Sequence, residues 1–284
     1  MVTSLGHKAR AELRRGSAER ALISRIAGVL RGGAPSGAEV VLGIGDDAAV
    51  LRVGRDPLVW TVDVSVQGVH FDLRWLSLAD VGYRATQAAV SDLAAMGATA
   101  VGALSSLVLP AEGLDVLALA RGQACASRAL GCPIIGGNVS SGPVLEVTTT
   151  VLGQVAHPLT RQGARPGQEL WLLGEIGLAR AGLLWLMRGR GIPAPAAEAR
   201  ALRRCLRAWR RPRALLEEGR SLLGRASAAM DVSDGLQGDC RSMAEASGVR
   251  LVLDEGGLEA CLAPELRRCA ALLGTPALRL ALEG

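Results

Sequence analysis

Apolar residues recur along the chain at two spacings, every second position and every third or fourth, which are the periods of strand and helix. Ile23, Ile26 and Leu30 predict a helix over 22–30. Residues 39–51 read as strand, turn, strand around Gly43-Ile44-Gly45-Asp46-Asp47, and 58–64 as a strand ending near Asp63. A long helix is predicted over 77–96, since the Ser77 hydroxyl can cap it with Asp80 three residues on, and Gly97 follows its end. Next come a strand at 101–109, a helix at 114–130 closed by Gly131, a short buried strand at 133–135 and a strand at 144–155. Residues 157–168 carry Pro158, Gly163, Pro166 and Gly167 and form the best linker. Beyond it the pattern predicts strands at 170–173, 228–232 and 250–253, and helices at 178–187, 197–208, 213–222, 236–246 and 264–273. Strands and helices on both sides of one linker predict two α/β lobes.

Composition narrows the chemistry. With 284 residues, 49% hydrophobic and 21% charged, the chain can bury a substantial core. Lys8 is the only lysine, which removes the Gly-Lys-Ser/Thr phosphate loop, the strand lysine of protein kinases and Schiff-base chemistry. A nucleotide would have to bind through metal ions, arginine and backbone amides. His7, His70 and His157 are too scattered to suggest a multi-histidine zinc site. Six cysteines without a C-x-x-C pair read as reduced core thiols. The first sixteen residues are polar, and the longest uncharged run, 93–111, contains Gly97, Ser105, Ser106 and Pro110. Neither an export segment nor a membrane span is expected, and the expected location is the cytoplasm.

The net charge of +5 raises a nucleic-acid reading, and arginines 200, 203, 204, 207, 210, 211 and 213 form the densest basic cluster. With one Tyr and one Phe, base stacking has few platforms. A solvated helix face is the simpler reading, and no nucleic-acid partner is expected.

The aspartates carry more information. On the helix from Ser77, Val81, Ala85, Ala88 and Asp92 lie along one stripe, so Asp92 is expected at the edge of an apolar surface. It also falls in the helix's last turns, where the dipole disfavours an anion. A buried unpaired carboxylate is costly, so some cation must compensate. That cation is a structural arginine or a metal, and Arg84, eight residues back, has poor reach. Asp46-Asp47, Asp63, and Asp231 with Asp234 and Asp239 stand at strand ends or turns, each a turn residue or a ligand when taken singly. Together they are hard oxygen donors of the kind that suits Mg²⁺ bridging to phosphate. The stretch Gly136-Gly137-Asn138-Val139-Ser140-Ser141-Gly142 reads as a loop whose amides could approach a phosphate, or simply as a turn.

Five ordered blocks resemble the thiamine-monophosphate kinase family. They are Gly43-Ile-Gly-Asp-Asp-Ala-Ala-Val50; Thr61-Val-Asp63 through Gly68-Val-His-Phe71; Ser91-Asp-Leu-Ala-Ala-Met-Gly-Ala98; Leu159-Thr-Arg-Gln-Gly-Ala-Arg-Pro-Gly167; and Met230-Asp-Val-Ser-Asp-Gly-Leu236. The resemblance covers about residues 17–284. It implies the two-domain α/β (α+β) fold of aminoimidazole ribonucleotide synthetase, with a nucleotide- and metal-binding, dimerising domain at 17–156 and a second at 157–284. The second is expected to be C-terminally incomplete, because the family continues past Gly284 into a Gly-Glu-Asp-Tyr-Glu segment that contacts substrate.

The implied activity is direct in-line phosphorylation of thiamine monophosphate by ATP, with several Mg²⁺ ions and a homodimer. By resemblance, Asp47, Thr61, Val62, Asp63, Asp92, Asn138, Asp231 and Asp234 fall on metal positions, His70 on a substrate position, and Gly137, Asn138, Arg161 and Ser233 on nucleotide positions. Three departures stand out. The glycine-rich stretch has Asn138 where the family has an aspartate, Val62 and Val64 stand in place of threonines, and Gln67 replaces a common acidic residue. A relative that binds nucleotide but catalyses weakly or not at all is therefore a second reading, and another enzyme of the same superfamily a third.

Overall fold

A computed structural model of the protein describes residues 39–42, 44, 46–53, 57–110, 113–189, 191–193 and 195–283. The helix predicted at 22–30 lies outside them. The first lobe is a six-stranded sheet with order β1-β2-β3-β6-β4-β5, built from β1 (Glu39–Leu42), β2 (Ala49–Arg52), β3 (Pro57–Val66), β4 (Thr99–Leu109), β5 (Ile134–Ser141) and β6 (Glu146–Gln154). All neighbours are antiparallel except β4 and β5. That parallel pair is joined by helix α2 (Val116–Leu130), as a crossover requires.

Helix α1 (Leu78–Ala95) forms as predicted. The Ser77 hydroxyl accepts from the Asp80 N–H at 3.1 Å, and the chain leaves at Gly97 with φ +68°. Glycines let the two helices touch: a Cβ on Gly122 of α2 would stand 1.9 Å from the Ala79 carbonyl oxygen, and one on Gly82 2.2 Å from that of Leu119. Val59, Ala89, Val90, Leu93, Met96 and Val151 are fully or almost fully buried between α1 and the sheet. The stripe predicted on α1 is corrected in one respect. Val81 and Ala85 are buried, but Ala88 is exposed and Asp92 half-buried, so that line opens toward a cleft instead of the core. Sheet, α2 and the second lobe all pack on α1, which leaves this as its open edge.

The second lobe, among the described residues, is helical: α3 (Leu178–Met187), α4 (Ala196–Arg210), α5 (Leu216–Ser221), α6 (Leu236–Ser247), α7 (Glu255–Cys261), α8 (Pro264–Leu273) and α9 (Ala277–Leu282). Its core includes Trp185, Leu202, Cys205, Leu266, Cys269 and Leu280. The strands predicted at 170–173, 228–232 and 250–253 do not form. A strand needs a ladder, and no backbone hydrogen bond joins these three segments, which leaves Trp171 79% and Val252 74% exposed. The helix predicted at 213–222 shortens to α5, while α7 and α9 were not anticipated. In the first lobe, the short buried strand at 133–135 is instead the longer, exposed edge strand β5, which absorbs the glycine-rich stretch read as a loop. Among the cysteines, Cys132, Cys205 and Cys269 are buried as expected, but Cys125 and Cys261 are exposed.

The lobes meet along α1. Trp209 packs edge-on to Trp75 at 6.4 Å, Arg84 lies over its ring and donates to its carbonyl, and the buried Gln87 amide oxygen accepts from the Ala214 N–H at 2.7 Å.

Candidate functional site: a carboxylate cluster between the lobes

Three distant segments converge at the open edge of α1. Asp47 sits in the turn between β1 and β2, Asp92 in the last turns of α1, and Asp231 in the irregular segment before α6. Each offers a carboxylate oxygen, and the three oxygens lie within 4.8 Å of one another. Neighbouring groups fix their orientation. Thr61, inward-facing on β3, donates its hydroxyl proton to Asp92 Oδ2 at 2.5 Å, and Ser91 hydrogen-bonds Asp231. Asp46 braces the turn, accepting the Asp47 N–H at 2.9 Å through Oδ1 and the Arg161 N–H at 3.2 Å through Oδ2. The Arg161 guanidinium reaches Asp47 Oδ1 through Nε at 3.0 Å and also through Nη2.

Burial and mutual repulsion act on all three carboxyls. Burial lifts Asp92 to about 8 despite the Thr61 hydrogen bond, with Asp231, Asp47 and Asp63 adding to the rise. It lifts Asp47 to about 6 against the pull of Arg161, and raises Asp231 against the Ser91 hydrogen bond. One guanidinium is thus set against three crowded acids. The second Asp47 oxygen, Oδ2, is buried and has no hydrogen-bond partner. An orphaned carboxylate oxygen beside two further carboxylates, in a purely oxygen donor set, fits a hard divalent cation such as Mg²⁺.

Other expected residues surround this centre without joining it. Asp63 stands in the same electrostatic field, its carboxyl raised by burial and lowered by the Val64 N–H, His70 and Arg84. Arg84, set aside for Asp92 by reach, faces Asp63 instead. Asp234 is exposed. His70 Nδ1 accepts the Val66 N–H at 3.0 Å, so Nε2 carries the proton at an exposed position. Val62 is 61% exposed on the outer face of β3, so its side chain turns away from the Thr61 and Asp63 face. Gly137 and Asn138 lie on β5, three strands from Asp63 and on the order of 14 Å away at ordinary strand spacing. The structure does not bring Asn138 to the carboxylate cluster. It lines a separate cavity of about 380 Å³ with Ser105, Gln123, Ile134 and Gly137.

Asp239 is the residue whose part was least visible in sequence. It is 5% exposed, its Oδ2 accepts the N–H groups of Ser233 at 3.0 Å and Asp234 at 3.2 Å, and burial raises it to about 7. Its spacing of five from Asp234, at the opening of a predicted helix, was the available signal.

Comparison with known proteins agrees with this architecture. The AIR synthase related protein N-terminal domain matches residues 45–155 and the C-terminal domain residues 165–275. The thiamine-monophosphate kinase of Corynebacterium glutamicum is 36% identical over 252 residues, covering 84% of this chain and 73% of its own. That of Aquifex aeolicus is 34% identical over 211 residues, covering 73% of this chain and 67% of its own. The solved structure of AaThiL complexed with AMPPCP and TMP superposes with a TM-score of 0.78 at 29% identity, over 93% of this chain and 80% of that one. Shared domains, identity over most of the chain and a common fold agree: this chain belongs to the thiamine-monophosphate kinase family.

Proposed function

We propose that this kinase transfers the terminal phosphoryl group of ATP to thiamine monophosphate, giving thiamine diphosphate, by direct in-line displacement that requires Mg²⁺. The observation that carries the reading is the convergence of Asp47, Asp92 and Asp231 around an orphaned carboxylate oxygen. Family membership supplies the substrate pair, since a relative's structure is described as complexed with AMPPCP and TMP. Asp47, Asp92 and Asp231 would hold the cation, with Thr61 orienting Asp92, and Asp63 and Asp234 adding negative charge nearby. When bound, the cation neutralises charge on phosphate oxygens during transfer.

The chain's own residues do the rest by positioning. Arg161 neutralises Asp47 in this structure and is the guanidinium best placed to turn toward a phosphate. Gly137 and Asn138, with Ser105 and Gln123, line a cavity suited to the nucleotide's far end. Ser233 is exposed beside the cluster and its hydroxyl adds a polar contact, and His70 Nε2–H is a donor for the acceptor substrate. No general base is needed, because a phosphate monoester is already ionised near pH 7. Its oxygen attacks the γ-phosphorus as the bond to the β-bridging oxygen breaks, and the electron pair leaves on ADP. The outer sheet face exposes Trp60 (50%), Val62 (61%) and Leu104 (44%), an apolar surface consistent with a homodimer formed through the first lobes. No helix among the described residues is long and apolar enough to cross a membrane, and we place the enzyme in the cytoplasm.

A second reading, a nucleotide binder with weak turnover, rests on the uncharged Asn138, which stands where the family resemblance implies an aspartate. Incubation with MgATP and thiamine monophosphate separates the two. Accumulation of thiamine diphosphate, abolished by EDTA, supports the kinase. Mg²⁺-dependent ATP binding with no product, even in Asn138→Asp, supports the binder.

A further inference from the structure

Helix α6 touches both loops that feed the site, and neither contact belongs to the reacting groups themselves. At its first turn, Asp239 Oδ2 gathers the N–H groups of Ser233 and Asp234, immediately after Asp231. At its last residue, the Ser247 hydroxyl accepts the N–H groups of Gly163 at 3.2 Å and Ala164 at 3.1 Å, and donates to the Arg161 carbonyl at 2.9 Å. That is the full capacity of a hydroxyl, one donated and two accepted bonds. Gly163 has φ +131°, and a Cβ there would stand 2.3 Å from the Ser227 carbonyl oxygen, so the loop passes close to the 227 backbone at a position that favours glycine. Thr160 ties the same loop back to the Asp231 segment, its carbonyl accepting the Ala229 N–H at 2.9 Å.

We propose that α6 is a two-ended brace: Asp239 positions the 231–234 loop and Ser247 positions the backbone that aims Arg161, so that the carboxylate side and the arginine side of the site are held by one rigid element. Both are positioning residues, as neither lies among the three converging carboxylates or the cavity-lining groups. The inference rests on the proposed role of Arg161 toward nucleotide. Without its three hydrogen bonds, the loop would let the guanidinium sample positions away from Asp47 and the phosphates, at a cost in nucleotide binding but not in chemistry.

The test is steady-state kinetics on the full chain. Ser247→Ala should raise KM for ATP about fivefold while kcat and KM for thiamine monophosphate stay within about twofold, and Ser247→Thr should restore it. Combined with Arg161→Ala, it should add nothing further, because the loop then has no guanidinium to aim. Asp239→Ala should instead raise the Mg²⁺ concentration for half-maximal rate about tenfold, a quantity Ser247→Ala leaves unchanged. Melting temperatures identify any variant that does not fold, and Ser247→Cys, near-isosteric with weaker hydrogen bonds, then takes the place of Ser247→Ala. An unchanged KM for ATP in folded Ser247→Ala, or multiplicative effects in the double variant, overturns the brace while leaving the kinase reading intact. An Arg161→Ala variant with normal KM for ATP overturns the nucleotide role of Arg161 and the brace with it.

Discussion

The two lobes solve the same problem, satisfying backbone polar groups, in different ways. The first pairs six strands in one continuous sheet and covers one face with α1 and α2. The second, among the described residues, relies on helices, whose hydrogen bonds are internal, while the three segments predicted as strands stay irregular, without a ladder. The consequence for the site is an asymmetry. Thr61 and Asp92 stand on paired or helical elements, whereas Asp47 sits in a turn and Asp231 and Arg161 ride on irregular chain, all three needing side-chain ties. Rigid donors on one side and tethered groups on the other make a cleft whose second wall depends on a few hydrogen bonds.

The largest effect should come where the lobes meet. Asp92→Asn, isosteric but uncharged, should lower kcat/KM about a thousandfold, with melting temperature unchanged or raised because one of three crowded acids is gone. Full activity would show that this carboxylate is structural. Next come variants that separate the lobes. Leu266→Ala, at a fully buried position in the helical core, should cost about 3 kcal/mol, and Gly122→Ala, which drives a Cβ into the Ala79 carbonyl, about 2 kcal/mol. If the α1 contacts through Trp209 and Gln87 couple the lobes, denaturant melts of both variants will shift a single transition. Two separated transitions would show that the lobes unfold independently.

A smaller effect follows from protons. Folded Asp92 keeps its proton up to about pH 8, whereas an unfolded aspartate loses it near its ordinary value of 3.8. Across that window the folded chain binds more protons, so metal-free stability should fall as pH rises from about 4 to about 8 and then level. Mg²⁺ needs the ionised form and competes with that proton, so its affinity should rise between the Asp47 value of about 6 and the Asp92 value of about 8. Calorimetric titration at several pH values checks this, and a flat profile would show that the metal does not displace these protons.

The sequence was most readable where local chemistry decides the outcome. The Ser77 cap, the Gly131 end of α2 and the alternation of β6 were all visible because neighbours in sequence create them. It was least readable where a distant partner decides. The segments 170–173 and 250–253 have strand-like residues but no ladder, and β5 looked like a loop because its glycines obscure the alternation that its β4 partner imposes. The site divided along the same line. Aspartates at strand ends and tight turns were identifiable as candidates, and so was the family. That Asp47, Asp92 and Asp231 would meet was expected through the family resemblance, and they do converge, whereas that Val62 would turn outward and that Asn138 would lie with a separate cavity depends on sheet order and crossover geometry.

If these three acids hold a divalent cation against nucleotide phosphates, ATP binding must depend on each of them and on the metal. Isothermal titration of ATP into the wild-type chain and into Asp47→Asn, Asp92→Asn and Asp231→Asn, each with Mg²⁺ and with EDTA, measures that dependence. Binding that requires Mg²⁺ in the wild type and weakens about tenfold or more in every variant is the predicted result. Nucleotide binding indifferent to EDTA and to all three substitutions would contradict it.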